Sequence, residues 1–173
     1  GLESLGIRMN RGFVEVDENL GTSVSGIYAV GDITGKVQLA HAAAAQGLCA
    51  ASNCAGQEKH MRYDIIPSCI YTEPEIASVG LTADAAKAEG RKVTVRKSLT
   101  SANGKAVVEG AERGFAKLVF DADTDVLLGA QLMCPHASEM IGGLTASVNA
   151  GLTAEQLSQT IFPHPTVSEI LSL

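Results

Sequence analysis

The chain has 173 residues, of which 46% are hydrophobic and 18% charged, so it has enough apolar material to form a core and is not a disordered chain. Thirteen lysines and arginines against nineteen aspartates and glutamates give a net charge of −6, which excludes the basic surface that a nucleic-acid partner requires. The longest apolar stretch, Leu39 to Gly56, is interrupted by polar residues, and we therefore expect no membrane span and no membrane partner.

Neither the start of the chain nor its cysteines indicate secretion. The first residues, GLESLGIRMNRG, lack the basic start, apolar middle and small-residue cleavage site of a secretory signal, and they do not begin with Met. The four cysteines are too few and too scattered for a disulfide-stapled scaffold of this length. We therefore expect a cytoplasmic protein, and a chain that is the tail of a longer one.

The first third of the chain has the pattern of a small α/β unit. Residues Phe13 to Val16 alternate like a short strand, and Gly26 to Asp32 are typical of a buried strand that ends in a carboxylate. The Ala-rich run from Leu39 to Ala55 contains strong helix formers and stops at Gly56. A strand, a turn and a helix are therefore predicted in this order.

A charged stretch from Gln57 to Ile66 separates this unit from a second one. Five segments there have the composition of strands, namely Ser68–Thr72, Ile76–Gly80, Lys92–Leu99, Phe115–Phe120 and Leu127–Cys134. Helices are predicted after the cap residue Thr82, over Ala137–Asn149, over Thr153–Thr160 with a capping box, and after Pro165. Strands followed mostly by helices predict an α+β fold for this second unit.

Asp32 and the helix start near Leu39 to His41 form the first candidate site. An Asp at the carboxyl end of a strand in an α/β sheet lies where ligands bind, and it can accept hydrogen bonds from sugar-like hydroxyls. The helix that follows presents free N–H groups and the positive end of its dipole to an electron-rich ligand atom. The alternative is that Asp32 only forms a turn.

His164 and Glu169 form the second candidate site, in the segment HPTVSE. Pro165 disfavours helix at His164, so the imidazole is expected on a loop just ahead of a helix. Thr166 and Glu169 have the spacing of a capping box, and the carboxylate can also bond one imidazole nitrogen and leave the other as a base. The alternative is that Glu169 only caps the helix and His164 only packs.

The cysteines and the remaining histidines give little indication of chemistry. Cys49 and Cys54 have the spacing of some redox disulfides, but on a helix residues five apart lie roughly 7 to 8 Å apart along the axis and point in different directions. We therefore interpret both as packing residues. His136 can cap the helix that follows it, and His60 lies in the charged stretch. No second Cys or His stands at ligand spacing near either, so no metal site is predicted.

Five ordered segments of the chain resemble the C-terminal part of the pyridine nucleotide-disulphide oxidoreductases. They are GIYAVGDITG with QLAHAAAAQG, IPSCIYTEPEIASVGLT, GFAKLVFD, LLGAQLMCPHASEMI and HPTVSE. The resemblance implies that residues 1–25 are the end of an NAD-binding domain and that residues 26–62 are the C-terminal segment of an FAD-binding domain. It also implies that residues 63–173 form the dimerisation domain, an antiparallel sheet with helices.

The same resemblance implies an FAD site at the helix start. The Asp at the position of Asp32 bonds the ribityl chain of FAD in that family. The backbone at Gln38, Leu39, Ala40 and His41 meets the flavin ring. FAD and NAD are accordingly the cofactors that we expect in the full-length protein.

The resemblance further implies the roles of the second site. His164 is expected to be the acid/base that faces the redox disulfide of the partner subunit in a homodimer, and Glu169 is expected to orient it. The segment PHASEM favours the branch that oxidises dihydrolipoyl groups through FAD to reduce NAD+, with lipoyl domains of 2-oxo acid dehydrogenase or related complexes as partners. The peptide bonds before Pro74 and Pro165 match positions that are often cis.

The chain also departs from the family pattern. The first dinucleotide fingerprint, the redox Cys pair and nearly all of the NAD domain have no counterpart in it, so we expect the isolated chain to be inactive. Two alternatives stay open on the sequence. One is a fragment of another disulfide reductase, of the glutathione or mercuric reductase type, although mercuric reductases usually end in paired cysteines. The other is a non-catalytic dimerisation module.

Overall fold

The chain forms two units, Gly1–Tyr63 and Asp64–Leu173, in a computed structural model that describes residues 1–111 and 113–172. The first unit contains a hairpin of β1 (Met9–Asn10) and β2 (Phe13–Val14) and one long helix, α1 (Ala40–Cys54). Its small core is formed by side chains from the loops and from α1. They are Leu20, Cys49 and Ala50, with Val16, Tyr28 and Met61 packed against them.

The strand predicted over Gly26 to Asp32 is wrong. Tyr28 forms a single antiparallel bridge with Gly21, and a 3₁₀ turn follows at Gly31–Thr34. The apolar composition of this segment is typical of a buried strand, but a strand needs a neighbour along its length to satisfy its backbone groups. The bridge at Tyr28 supplies only one such pairing, so the segment stays extended without joining a sheet.

The second unit is built on an antiparallel sheet of five strands within the described residues. The strands are β3 (Ser68–Ile70), β4 (Ile76–Gly80), β5 (Val93–Leu99), β6 (Phe115–Asp121) and β7 (Leu127–Met133). Their spatial order is β3-β4-β7-β6-β5, so the central pair β4 and β7 is not consecutive in the chain. All neighbouring strands run antiparallel, and the predicted α+β class is confirmed.

One face of this sheet forms the core of the second unit. The pairing of β4, β7 and β6 aligns buried side chains in rows across the strands, because alternate residues point to the same face. The two clearest rows are Ala77, Leu132 and Ala116, and Val79, Ala130 and Leu118. Residues from a long helix and from the C-terminal 3₁₀ turn complete the cluster, namely Met140, Ile141, Leu144, Val167, Ile170 and Leu171.

The helices of the second unit follow the sequence predictions with two differences. They are α2 (Ala83–Ala88), α3 (Gly104–Val108), α4 (Ala137–Ala150) and α5 (Ala154–Ser158). Thr82 caps α2, and the capping box of Thr153 and Gln156 starts α5, as predicted. The short helix α3 was not predicted, and the segment after Pro165 is a 3₁₀ turn, Val167–Leu171, rather than an α-helix. Among the described residues, no helix has the length and apolar character needed to cross a membrane.

The start of α4 is capped by a residue of the loop before β4. His136 occupies the N-cap position in a left-handed conformation with φ of 59°, and its imidazole lies 3.5 Å from the Glu109 carboxylate instead of capping the helix. The backbone N–H of Ser138 donates to Glu75 Oε2 at 2.8 Å. This bond lowers the pKa of the Glu75 carboxyl below its ordinary value. His136 therefore occupies the N-cap position of α4, as predicted, but its side chain makes no capping hydrogen bond, and the Glu75 carboxylate supplies one instead.

Candidate functional site

His164 and Glu169 are brought together by the turn that joins them. Nδ1 of His164 lies 2.9 Å from Glu169 Oε1, and the imidazole is 81% exposed. The second carboxylate oxygen, Oε2, accepts a hydrogen bond of 2.9 Å from the backbone N–H of Thr166. The Thr166 hydroxyl in turn donates to the carbonyl of Pro163 at 2.7 Å. Both oxygens of Glu169 are therefore used, one to hold the turn and one to hold the imidazole.

The electrostatics of the pair decide which imidazole nitrogen is free. The Thr166 N–H and the His164 ring keep the pKa of the Glu169 carboxyl below its ordinary value, so Glu169 is an anion at neutral pH. An anionic oxygen accepts hydrogen bonds and donates none, so Nδ1 of neutral His164 carries the proton. The lone pair of that ring is then on Nε2. An exposed imidazole with its lone pair on Nε2 can take a proton from a ligand.

The peptide bond between His164 and Pro165 is cis, and so is the bond between Glu73 and Pro74. Both agree with the sequence prediction. The cis bond at Pro165 is part of the turn that precedes the 3₁₀ turn at Val167–Leu171, and His164 stands on its N-terminal side.

Asn103 also contacts this segment, and sequence reasoning missed it. Its side chain is buried, and its Nδ2 donates to the carbonyls of Thr166 at 3.1 Å and Val167 at 3.3 Å. The Asn-Gly pair at 103 and 104 is a turn signal that could have indicated a cap for α3. A contact with a residue 63 positions away has no signature in a single sequence.

Asp32 lies in the other unit, in the first turn of the Gly31–Thr34 segment, and is exposed. The turn is held from behind by Gln46 of α1, whose Oε1 accepts from the backbone N–H of Gly31 at 2.6 Å. Gln46 is fully buried, and its Nε2 donates to the Tyr63 hydroxyl at 3.2 Å. The Thr34 hydroxyl donates to the Gly31 carbonyl at 2.8 Å. These hydrogen bonds fix the turn that carries Asp32, and the Asp32 carboxylate is exposed to a ligand.

The residues predicted to meet a flavin ring form the start of α1. Gln38, Ala40 and His41 are exposed, and Leu39 is the N-cap residue. Leucine has no side-chain acceptor, so Leu39 cannot satisfy the first N–H groups of the helix through its side chain. Backbone N–H groups and a positive dipole end at an exposed helix start fit an electron-rich ligand atom.

The cysteines do not form a redox pair. All four are free thiols. Cys49 is buried and its Sγ donates to the Lys59 carbonyl at 3.3 Å, whereas Cys54 is exposed at the end of α1. Burial raises the pKa of the Cys134 thiol to about 11, which keeps it protonated and unreactive at neutral pH. No group of three His, Cys, Asp or Glu side chains with the arrangement of a metal site occurs in residues 1–111 and 113–172.

Family models match both parts of the chain. Residues 66–173 match the pyridine nucleotide-disulphide oxidoreductase dimerisation domain, and residues 1–47 match a second model described as pyridine nucleotide-disulphide oxidoreductase. The chain therefore belongs to the pyridine nucleotide-disulphide oxidoreductase family, as the sequence motifs indicated.

Similar curated proteins carry a more specific name. The chain is 46% identical over 170 residues to dihydrolipoyl dehydrogenase of Chlorobaculum parvum, and 44% identical over 174 residues to that of Bacillus subtilis. These alignments cover 98% and 99% of this chain but 36% of each relative. The chain thus spans about a third of the length of these relatives.

Solved structures of two other proteins have a similar fold. The crystal structure of LpdA from Mycobacterium tuberculosis matches with a TM-score of 0.93 and 32% identity, over 99% of this chain and 38% of that one. RclA from Escherichia coli, an HOCl-induced flavoprotein disulfide reductase, matches with a TM-score of 0.88 and 32% identity, over 98% of this chain and 40% of that one. Both likenesses cover a minor part of the other protein.

Proposed function

We propose that this chain is the C-terminal part of a dihydrolipoyl dehydrogenase and supplies its acid/base pair and its dimerisation domain. The observation that carries the proposal is the 2.9 Å contact between His164 Nδ1 and Glu169 Oε1 on an exposed turn. The identities of 46% and 44% to dihydrolipoyl dehydrogenases favour this branch over other disulfide reductases. A purely structural dimerisation module would not require an exposed imidazole whose tautomer is set by a carboxylate.

The proposed reaction begins with proton transfer to His164. Nε2 of the neutral imidazole takes the proton of a dihydrolipoyl thiol, which makes the sulfur a thiolate, the reactive form of a thiol. Glu169 keeps Nδ1 protonated and stabilises the imidazolium that results. The thiolate then attacks the enzyme's redox disulfide, and its sulfur replaces one cysteine sulfur, which leaves as a thiolate. The positive charge on His164 stabilises that leaving thiolate.

FAD is the cofactor that we propose for the first unit. The exposed carboxylate of Asp32 and the start of α1 fit a polyol chain and an electron-rich ring edge, respectively. When bound, FAD would supply an acceptor for the electron pair of the dithiol and a donor of that pair to NAD+. In this assignment Asp32 would accept hydrogen bonds from ribityl hydroxyls, and the backbone at Gln38, Leu39, Ala40 and His41 would contact the ring.

The remaining assignments follow from the same proposal. Residues 1–25 end the NAD-binding domain, residues 26–62 belong to the FAD-binding domain and residues 63–173 form the dimerisation domain of a homodimer. Lipoyl domains of 2-oxo acid dehydrogenase or related complexes present the substrate. Four free thiols suit a reducing compartment, and we therefore place the protein in the cytoplasm.

Replacement of the base tests the proposed function. In the full-length protein, His164→Gln should lower dihydrolipoamide oxidation by about 10²-fold or more, because a general base contributes that much and glutamine cannot take up a proton. The flavin absorbance should stay normal. His60→Gln removes a histidine of the other unit and should leave turnover unchanged. Wild-type turnover in His164→Gln would reject the assignment of the base.

Replacement of Asp32 tests the cofactor assignment separately. Asp32→Ala should weaken flavin retention, since the variant cannot accept hydrogen bonds from ribityl hydroxyls. The measurement is the ratio of flavin to protein absorbance after gel filtration of the full-length protein. Asp84→Ala, which removes an exposed carboxylate from α2, is the matched control. A fully loaded Asp32→Ala protein would count against the contact.

A further inference from the structure

Asn103 links the HPTVSE segment to a distant part of the second unit. Asn103 is 6% exposed, and its carboxamide makes hydrogen bonds in two directions. Oδ1 accepts from the backbone N–H of Ala106 at 2.9 Å and so caps α3. Nδ2 donates to the carbonyls of Thr166 and Val167. One buried carboxamide therefore joins the start of α3 to the turn that follows His164.

The contacts of Thr166 show how Asn103 is connected to Glu169. Its backbone N–H donates to Glu169 Oε2 and its carbonyl accepts from Asn103 Nδ2. Residue 166 is thus held on both its backbone groups, on one side by the carboxylate and on the other by a side chain from elsewhere in the unit. The carboxylate that Thr166 orients is the one that holds His164 Nδ1.

We propose that Asn103 is a positioning residue for the His164–Glu169 pair, an inference that rests on the function proposed above for that pair. Asn103 touches neither His164 nor a reacting atom. It fixes the Thr166 backbone, and that backbone fixes the Glu169 carboxylate. Loss of the Nδ2 donor leaves the carbonyls of Thr166 and the buried Val167 without this partner, and the turn shifts to recover hydrogen bonds.

The substitution Asn103→Ser separates positioning from capping. Serine is as good an N-cap residue as asparagine, so its hydroxyl can still accept from the Ala106 N–H. Its side chain is shorter and has no amide donors, so it cannot bond both carbonyls. In the full-length protein kcat should fall about tenfold, because small misplacements of a catalytic group have effects up to about 10²-fold. The flavin absorbance should not change.

A second readout reports on the carboxylate directly. In wild type the Thr166 N–H and His164 keep the pKa of Glu169 low, so a loosened turn should raise it towards the ordinary value of 4.5. The measurement is a carbon-detected NMR titration of the Glu169 carboxyl in the 173-residue chain. Thr82→Ala is the control, because it removes the cap of α2 and does not touch the HPTVSE segment. It should leave both kcat and the Glu169 titration unchanged.

The two measurements distinguish the two proposals. A folded Asn103→Ser chain with an unchanged Glu169 titration overturns the positioning role, and so does a shifted titration with unchanged kcat. If Asn103→Ser does not fold, Asn103→Asp keeps the length and the cap but replaces the donor, and an unchanged kcat in that variant overturns the proposal. Full turnover in His164→Gln would instead reject the proposed function. The Glu169 titration in Asn103→Ser would then still test whether Asn103 positions the Glu169 carboxylate.

Discussion

Gln46 shows how one buried polar side chain sets the geometry of an exposed site. Its amide oxygen satisfies the N–H of Gly31, which has φ of +78° and precedes Asp32. Its amide nitrogen donates a hydrogen bond to the hydroxyl of Tyr63, the last residue of the unit. A fully buried glutamine is uncommon because desolvation of its amide is costly unless both ends are bonded. In this unit both ends of the Gln46 amide are hydrogen-bonded, and the turn that carries Asp32 depends on these bonds.

We expect Gln46→Leu to destabilise the first unit. Leucine fills a similar volume but leaves the Gly31 N–H without its acceptor, which costs roughly 1 to 3 kcal/mol. Urea denaturation followed by circular dichroism gives the free energy of unfolding, and amide exchange of Gly31 gives the local effect. Gln57→Leu, at an exposed position beyond α1, is the control. Equal stability of the two variants would show that the bond to Gly31 contributes nothing net.

At the scale of elements, the Glu75 cap connects the sheet to α4. The carboxylate of the loop before β4 accepts from the first turn of a helix that begins after β7. A negative charge at a helix N-terminus also interacts favourably with the helix dipole. Both effects favour the ionised form, which agrees with the lowered pKa of Glu75.

The charge of Glu75 should therefore make the stability of α4 depend on pH. We expect Glu75→Gln to lower the free energy of unfolding by about 0.5 to 1 kcal/mol at pH 7. The folded-state pKa lies below the ordinary 4.5, so the unfolded chain binds the proton first as the pH falls. The contribution is complete above about pH 4.5 to 5.5 and is lost as the pH falls through the folded-state value. Wild type and variant should then converge in acid.

Urea denaturation at pH 7 and pH 3 measures this difference, with Glu73→Gln in the same loop as the control. Glu169 and Asp121 also have lowered pKa values, but they lose their contribution equally in both proteins. A constant difference between wild type and Glu75→Gln at the two pH values would show that the charge of Glu75 does not act on α4.

The elements of the second unit could be predicted well because the strands β4, β6 and β7 carry buried side chains on one face. Ala116, Leu118 and Phe120 alternate with partly exposed residues at the start of β6, and such alternation is local information. The helix α3 was not predicted because Gly104 and the β-branched pair Val107 and Val108 lower helix propensity. The contacts of Asn103 and Glu75 could not be predicted, since they join segments that are distant in the chain.

At the scale of the whole molecule, the exposed apolar side chains are consistent with surfaces that partners cover. Ile70 and Tyr71 at the end of β3 are 53% and 80% exposed, and Leu48 on α1 is 74% exposed. Single exposed apolar residues need no explanation, but neighbouring large ones are typical of contact surfaces. This agrees with a dimerisation domain.

We expect the purified 173-residue chain to form dimers and to show no dihydrolipoamide-dependent reduction of NAD+. His164 and Glu169 are the residues that we propose for proton transfer, but Cys49 and Cys54 are separate free thiols on α1 and cannot replace a redox disulfide. Light scattering measures the mass, and absorbance at 340 nm follows NADH formation. Turnover by the chain alone would contradict the proposal that this chain lacks the redox disulfide. A monomer at micromolar concentration would contradict the assignment of the dimer surface.

The strand order of the sheet has a consequence for how the chain folds. The hairpins β3–β4 and β6–β7 join neighbouring segments, whereas β4 and β7 meet only after the chain has closed a loop over α2, β5 and α3. Longer loops lose more entropy on closure, so this pairing, which joins the two strands with the longest connection in the sheet, has the largest entropic cost of closure. Glu75 and Ser138 flank that pairing, so α4 gains its cap only when the two halves of the sheet have joined. Until then a refolding chain carries two hairpins with unpaired edges, and we expect aggregation to compete with folding during that interval.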